Sequence, residues 1–102
     1  MELSDIDWDK IDVLINTTPV GMAPGINASP VNKDKLNSIV VFDSIYSPPV
    51  TKLIHDARKN KCIAVPGTEM FINQAVEQFK LFTGITLDRD FAENAIMEHV
   101  LS

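Results

Sequence analysis

Three short clusters of residues in this chain could take part in chemistry. The first is Asn16-Thr17-Thr18, with Gly21 and Met22 close behind. The second is Asp43, Ser44 and Tyr46. The third is Gly67, followed by Gln74 and Gln78. Each cluster follows an apolar run. The groups are mostly neutral hydrogen-bonding side chains, together with a glycine and a phenol. Such a set suits holding a cofactor and a hydroxylated ligand. It suits independent hydrolytic or nucleophilic chemistry poorly, because no dense cluster of acids and bases accompanies it. A glycine between a strand-like and a helix-like run lets the backbone approach a flat ligand closely. Gln74 and Gln78 stand one helical turn apart and so share a face.

Each candidate also has a plain structural reading. Asn16 can simply close a turn. Gly67 can serve only the strand-to-helix junction. Gln74 and Gln78 can form a solvated helix face. Tyr46 can pack with its hydroxyl at the surface. Other chemistries find less support. His55 and His99 are far apart, and neither has metal-ligand spacing with Cys62 or a carboxylate. Cys62 opens an apolar run and reads as a small core residue. No Gly-x-Ser-x-Gly elbow, Gly-x-x-x-x-Gly-Lys loop or Gly-x-Gly-x-x-Gly segment is present.

The elements that must position these residues follow from the patterning. Residues 1–10 are polar and acidic and read as a loop or a short capped turn around Trp8. Asp12 to Asn16 is β-branched and does not alternate, which suits a parallel strand buried on both faces. Residues 19–38 hold Pro19, Gly21, Pro24, Gly25 and Pro30 and read as a long surface loop, with a short helical turn from Asn32 to Leu36. Ile39 to Phe42 is a second buried strand, stopped by Pro48-Pro49. Thr51 can cap a helix running to about Asn60, with Leu53, Ile54 and Ala57 inward and Asn60 in a left-handed cap. Cys62 to Val65 is a third buried strand. A long helix is expected from Thr68 to Thr83, with Ile72, Ala75, Val76, Phe79 and Phe82 at helical spacing and Gly84 as its stop. A last helix starts at Asp88 or Asp90 and carries Ala92, Ile96 and Val100 one turn apart. Strands alternating with helices imply an α/β fold with a small parallel sheet. In such sheets ligands bind beyond the C-terminal ends of the strands, where all three clusters fall.

The bulk numbers narrow the partners. The chain has 102 residues, 45% hydrophobic and 23% charged, which fits one small globular unit or a piece of a larger one. A net charge of −5 argues against nucleic acid, because no basic stripe could replace phosphate counterions. The longest apolar runs are about half of the roughly 18–20 residues that span a bilayer, so no membrane partner is expected. The acidic start, Met1-Glu2-Leu3-Ser4-Asp5, does not read as a signal peptide. The single cysteine cannot form an internal disulfide. A cytoplasmic or plastid location follows from these features.

Taken together, the clusters resemble a known family. Asp12-Val13-Leu14-Ile15-Asn16-Thr17-Thr18-Pro19-Val20-Gly21-Met22 resembles the Asn-Ala/Thr-Thr-Pro-x-Gly-Met segment of shikimate dehydrogenases. Val41 to Pro48 resembles their Phe-Asp-x-x-Tyr-x-Pro segment. Gly67 to Ala75, with Gln78-Phe79 and Phe82-Thr83-Gly84 after it, resembles their last motif. The match covers about residues 11–101. The Glu69-Met70-Phe71 variant is similar to the form in plant-type bifunctional dehydroquinate dehydratase–shikimate dehydrogenases.

The resemblance implies reduction of 3-dehydroshikimate to shikimate with NADPH in aromatic biosynthesis, with NAD and quinate used by close relatives. It implies that Asn16 and Thr18 lie near the phosphate and nicotinamide-ribose region of the cofactor. Ser44 would bring its backbone to the nicotinamide, and Gly67 would contact it. Tyr46 and Gln74 would contact the ring acid, with Gln78 assisting. It further implies the second half of a Rossmann-like NADP-binding domain over residues 1–66, and C-terminal helices over 67–102 that pack on a catalytic domain. The family's Lys–Asp catalytic pair and glycine-rich loop have no counterpart here, so no catalytic residue is assigned and the chain alone is expected to lack catalysis. The first strand would then lack its usual neighbour, which leaves its edge open to self-association or to another protein.

Overall fold

Three β-branched runs and three amphipathic or capped runs settle into a small parallel α/β layer. The computed structural model describes residues 3–99. The strands are β1 (Val13–Asn16), β2 (Val40–Asp43) and β3 (Ile63–Val65). The helices are α1 (Lys52–Lys59), α2 (Gly67–Thr83) and α3 (Arg89–His99). Short 3-10 turns occupy Leu3–Asp5, Trp8–Lys10 and Lys33–Lys35. The sheet runs in the order β1-β2-β3, with both pairings parallel. Thus β1 and β3 are its two edges.

The register explains which side chains meet. Asn16 lies opposite Asp43, and Leu14, Val41 and Ala64 form a row across the sheet. Partners in a parallel ladder point to the same face, so these five residues share one side. Helix α1 covers that side. Val41, Leu53 and Ala57 join Val31, Leu36 and Ile39 in the core, with Trp8, Ile11, Leu14, Cys62 and Ala64 packed against it. The 19–38 segment is therefore more than a surface loop, because it supplies Val31 and Leu36 to the core.

The opposite side corrects an expectation. The strands are buried on one face only. Val13, Ile15 and Ile63 are 53%, 58% and 67% exposed, and Val40, Phe42 and Val65 beside them are half-buried. Their apolar character reflects a face that nothing among the described residues covers, not burial within this chain.

Local signals explain most helix ends. The Thr51 hydroxyl accepts from the Ile54 N–H at 3.2 Å and caps α1. Gly84 ends α2 at φ 74°, its N–H donating to the Lys80 carbonyl at 2.8 Å. The Asp88 carboxylate accepts from the Phe91 N–H at the start of α3. The end of α1 is a second correction. Asn60 has φ −100°, and Lys61 takes the left-handed position at φ 62°. The Cys62 N–H then donates back to the Ala57 carbonyl at 3.0 Å, the long-range bond of a Schellman turn. The Asn60 amide is drawn away instead, donating to the Lys33 carbonyl at 2.6 Å.

Helix α2 differs from its sequence pattern in burial. Of its apolar residues only Ile72 is buried, and Phe79 and Phe82 face outward. It packs on α3, where the Arg89 guanidinium donates to Glu69, Glu93 and Asn73. Val100, the last apolar residue assigned to α3 by spacing, lies outside the described residues.

Candidate functional site

The C-terminal ends of β1 and β2 open onto one cavity of about 360 Å³. Thr17, Thr18, Pro19 and Met22 line one rim. Ser44, Ile45, Tyr46 and Ser47 line the other. The rims are joined where the Ala23 N–H donates to the Ser47 carbonyl at 2.9 Å. The lining offers hydroxyls, backbone polar groups and the apolar side chains of Met22 and Ile45. It contains no charged side chain. Such a cleft suits a neutral flat ring with a polar rim better than a phosphate.

Asn16 lies behind this lining rather than in it. It is buried, and its amide is fully engaged. Its Oδ1 accepts from the Thr18 N–H at 3.1 Å and the Thr18 hydroxyl at 2.6 Å. Its Nδ2 donates to the Val20 carbonyl at 3.3 Å and to Asp43 Oδ1 at 3.2 Å. Both donors and the acceptor of an asparagine amide are thus in use. The turn-closing reading of Asn16 describes its bonds, and Thr18 is the residue it presents to the cavity.

Ser44 is held by β1. Its N–H donates to the Asn16 carbonyl at 3.0 Å, and its hydroxyl donates to the same oxygen at 2.9 Å. Gly67 then meets this segment. A Cβ there would lie 2.3 Å from the Ile45 carbonyl oxygen and 2.7 Å from the Ser44 carbonyl carbon. Only glycine lets the start of α2 sit this close to the loop after β2. Tyr46 is the exposed edge of the site, its ring 4.7 Å from that of Phe71 at 46°. Phe71, Gln74 and Gln78 share a helical face by their spacing. Gln74 and Gln78 are exposed, and neither lines the cavity. The structure therefore brings Thr18, Ser44 and Tyr46 together, sets Asn16 behind them and Gly67 beside them, and leaves the two glutamines along α2.

Asp43, named in the second cluster, has a role that the sequence alone does not show. It is fully buried, and its carboxylate takes bonds from Asn16, Ile45 and Thr51. A lone aspartate at a strand end carries no signal of this kind. The pattern Asp43 to Thr51 becomes informative only once the register places Asn16 opposite Asp43.

Among the described residues, no group of three or more His, Cys, Asp or Glu side chains is arranged to hold a metal ion. No helix of the described residues is long and apolar enough to cross a membrane.

Comparison with known proteins agrees with the geometry. The family model for the shikimate 5'-dehydrogenase C-terminal domain matches residues 67–97. The chain is 43% identical over 94 residues to the chloroplastic bifunctional 3-dehydroquinate dehydratase/shikimate dehydrogenase of Arabidopsis thaliana, covering 88% of this chain and 16% of that protein. A crystal structure of shikimate dehydrogenase in complex with NADP+ superposes with a TM-score of 0.84 at 37% identity, covering 96% of this chain and 35% of that one. The quinate dehydrogenase of Corynebacterium glutamicum in complex with NAD superposes at 0.78 with 33% identity, covering 87% and 32%. The chain spans about one sixth to one third of the length of these proteins. The ordered motifs and these matches together show that the chain is similar to the C-terminal region of shikimate dehydrogenases.

Proposed function

We propose that this chain forms one wall of the NADP and shikimate site of a shikimate dehydrogenase, which reduces 3-dehydroshikimate to shikimate. The observation that carries this is the shared cavity of Thr18, Ser44 and Tyr46 at the strand ends. The lining fits the nicotinamide-ribose end of the cofactor. It holds no charged side chain, so the phosphates and adenine need further groups beyond these residues. Bound NADPH supplies the hydride; the residues here bind and orient. Thr18, backed by Asn16, faces the ribose and adjoining phosphate. The Ser44 backbone and Gly67 border the nicotinamide. Tyr46, Gln74 and Gln78 reach the ring acid from the α2 side. NAD is the alternative cofactor and quinate the alternative substrate. Residues 1–66 act as the cofactor-binding part, and 67–102 as helices that dock on a catalytic domain. The compartment is the plastid or the cytoplasm.

The 102 residues alone should not turn over, because no proton-transfer pair stands at the cavity. Purified chain with shikimate and NADP+ should give no NADPH, and robust turnover would overturn that part. The site reading is tested in a chimera in which residues 11–99 replace the matching segment of the Arabidopsis relative. Shikimate-dependent NADP+ reduction should persist. Gln74→Ala should then weaken ring-acid binding by roughly 1–3 kcal/mol, the cost of one lost buried partner. Unchanged KM and kcat would remove Gln74 from the site.

A second reading rests on a separate observation. Among the described residues β1 pairs only with β2, and its outward face is apolar and exposed. Such an edge invites pairing with another chain. We propose self-association through it as the alternative role, and sedimentation showing a stable monomer at high concentration counts against it.

A further inference from the structure

Asp43 ends β2 with no exposed surface, yet none of its hydrogen-bond partners is a cation. A buried carboxylate is tolerated only when donors fill its oxygens. Here three do. Oδ1 accepts from Asn16 Nδ2 at 3.2 Å and from the Ile45 N–H at 3.0 Å. Oδ2 accepts from the Thr51 hydroxyl at 2.7 Å. Each donor belongs to a different structural unit. Asn16 leads into the first rim of the cavity and holds Thr18 there. Ile45 is in the second rim. Thr51 caps α1 through the Ile54 N–H.

We infer that Asp43 is the positioning residue of the cavity. One buried carboxylate sets the spacing of both rims and ties them to the N-terminus of α1. The Asn16 amide has a fixed orientation as a result: Nδ2 must face the carboxylate, so Oδ1 must face Thr18. Donors that share one carboxylate compete for its charge, so loss of the Thr51 hydroxyl changes the Ile45 and Asn16 bonds and, through Asn16, reaches Thr18. The spacing of the rims rests on geometry alone. Its consequence for the cofactor rests on the nicotinamide reading above.

The test is ¹H–¹⁵N NMR of the 102-residue chain carrying Thr51→Val, Thr51→Ser or Asn16→Ala. Thr51→Val should shift the amide signals of Ile45, Thr18 and Val20 as well as Ile54, and should change the exchange rate of the Ile45 amide. Thr51→Ser keeps the hydroxyl and should restore all four. Asn16→Ala should shift Ile54 from the other direction, so one variant suffices if the other fails to fold. Changes confined to α1 in Thr51→Val, and to residues 16–20 in Asn16→Ala, overturn the proposal. In the chimera, Thr51→Val should raise KM for NADP+ by roughly tenfold, with Thr51→Ser close to the parent. Coupling in the NMR data with KM unchanged retains the positioning role and discards the nicotinamide reading.

Discussion

A methyl group at position 67 would sit 2.3 Å from the Ile45 carbonyl oxygen, and the atoms it meets are backbone. No side-chain rotation can relieve that contact. Gly67→Ala is therefore expected to force β2's loop and α2 apart, at a cost of about 2–3 kcal/mol, the upper part of the range for overpacking. Urea denaturation of the isolated chain measures it, and an unchanged midpoint would show that the loop yields freely. The same contact separates two roles that the sequence leaves merged. A glycine at a strand-to-helix junction serves either a ligand or the chain itself. Here the chain alone already requires it, whatever the cofactor adds. Asn16 is similar, with its amide spent on Thr18, Val20 and Asp43.

At the scale of elements, the ends of the helices divide into those set locally and those set from afar. Gly84 has φ 74° and open space around its Cα, so Gly84→Ala meets no steric neighbour. Its cost should be the backbone cost alone, about 1–2 kcal/mol, read as a lower thermal midpoint with α2 otherwise intact. Such ends are legible in sequence because residue type and conformation are linked directly. Thr51 is legible for the same reason. The end of α1 is not, because Asn60 is captured by the Lys33 carbonyl, a partner 27 positions away. The sheet and its order of elements were legible from β-branched runs; of the three clusters, the first two share the strand-end cavity, Gly67 packs beside it, and Gln74 and Gln78 stand apart along α2. Which face of the sheet is covered was not legible. A continuous apolar run looks alike whether its second face is buried by this chain or left open. The core contribution of Val31 and Leu36 was hidden too, since they lie in a proline-rich loop with no period to read.

For the whole molecule, the open side of the sheet dominates. Val13, Ile15 and Ile63 lie more than half exposed on one plane with Val40, Phe42 and Val65. Contiguous apolar surface of this kind drives association. Ile15→Lys and Ile63→Lys should each leave stability within about 0.5 kcal/mol, as exposed positions usually do. If self-association runs through the β1 edge, Ile15→Lys should shift sedimentation toward the monomer while Ile63→Lys, on the far edge, should not; an unchanged profile for Ile15→Lys places any association elsewhere. The tight seat of Gly67 has a mechanical meaning at this scale. Helix α2 cannot slide toward β2 at its first residue, and beyond Phe71, which packs on Tyr46, its main helical partner is α3, so Gly67 can serve as a fulcrum and the helix as a lever. At about 1.5 Å of rise per residue, Gln78 stands roughly 16 Å out, and a tilt of about 5° carries it through roughly 1.4 Å. The cavity rim at Ser44 lies beside the pivot and moves least during such a swing. On the proposed reading, a hinge of that form adjusts the grip on the ring acid without disturbing the cofactor.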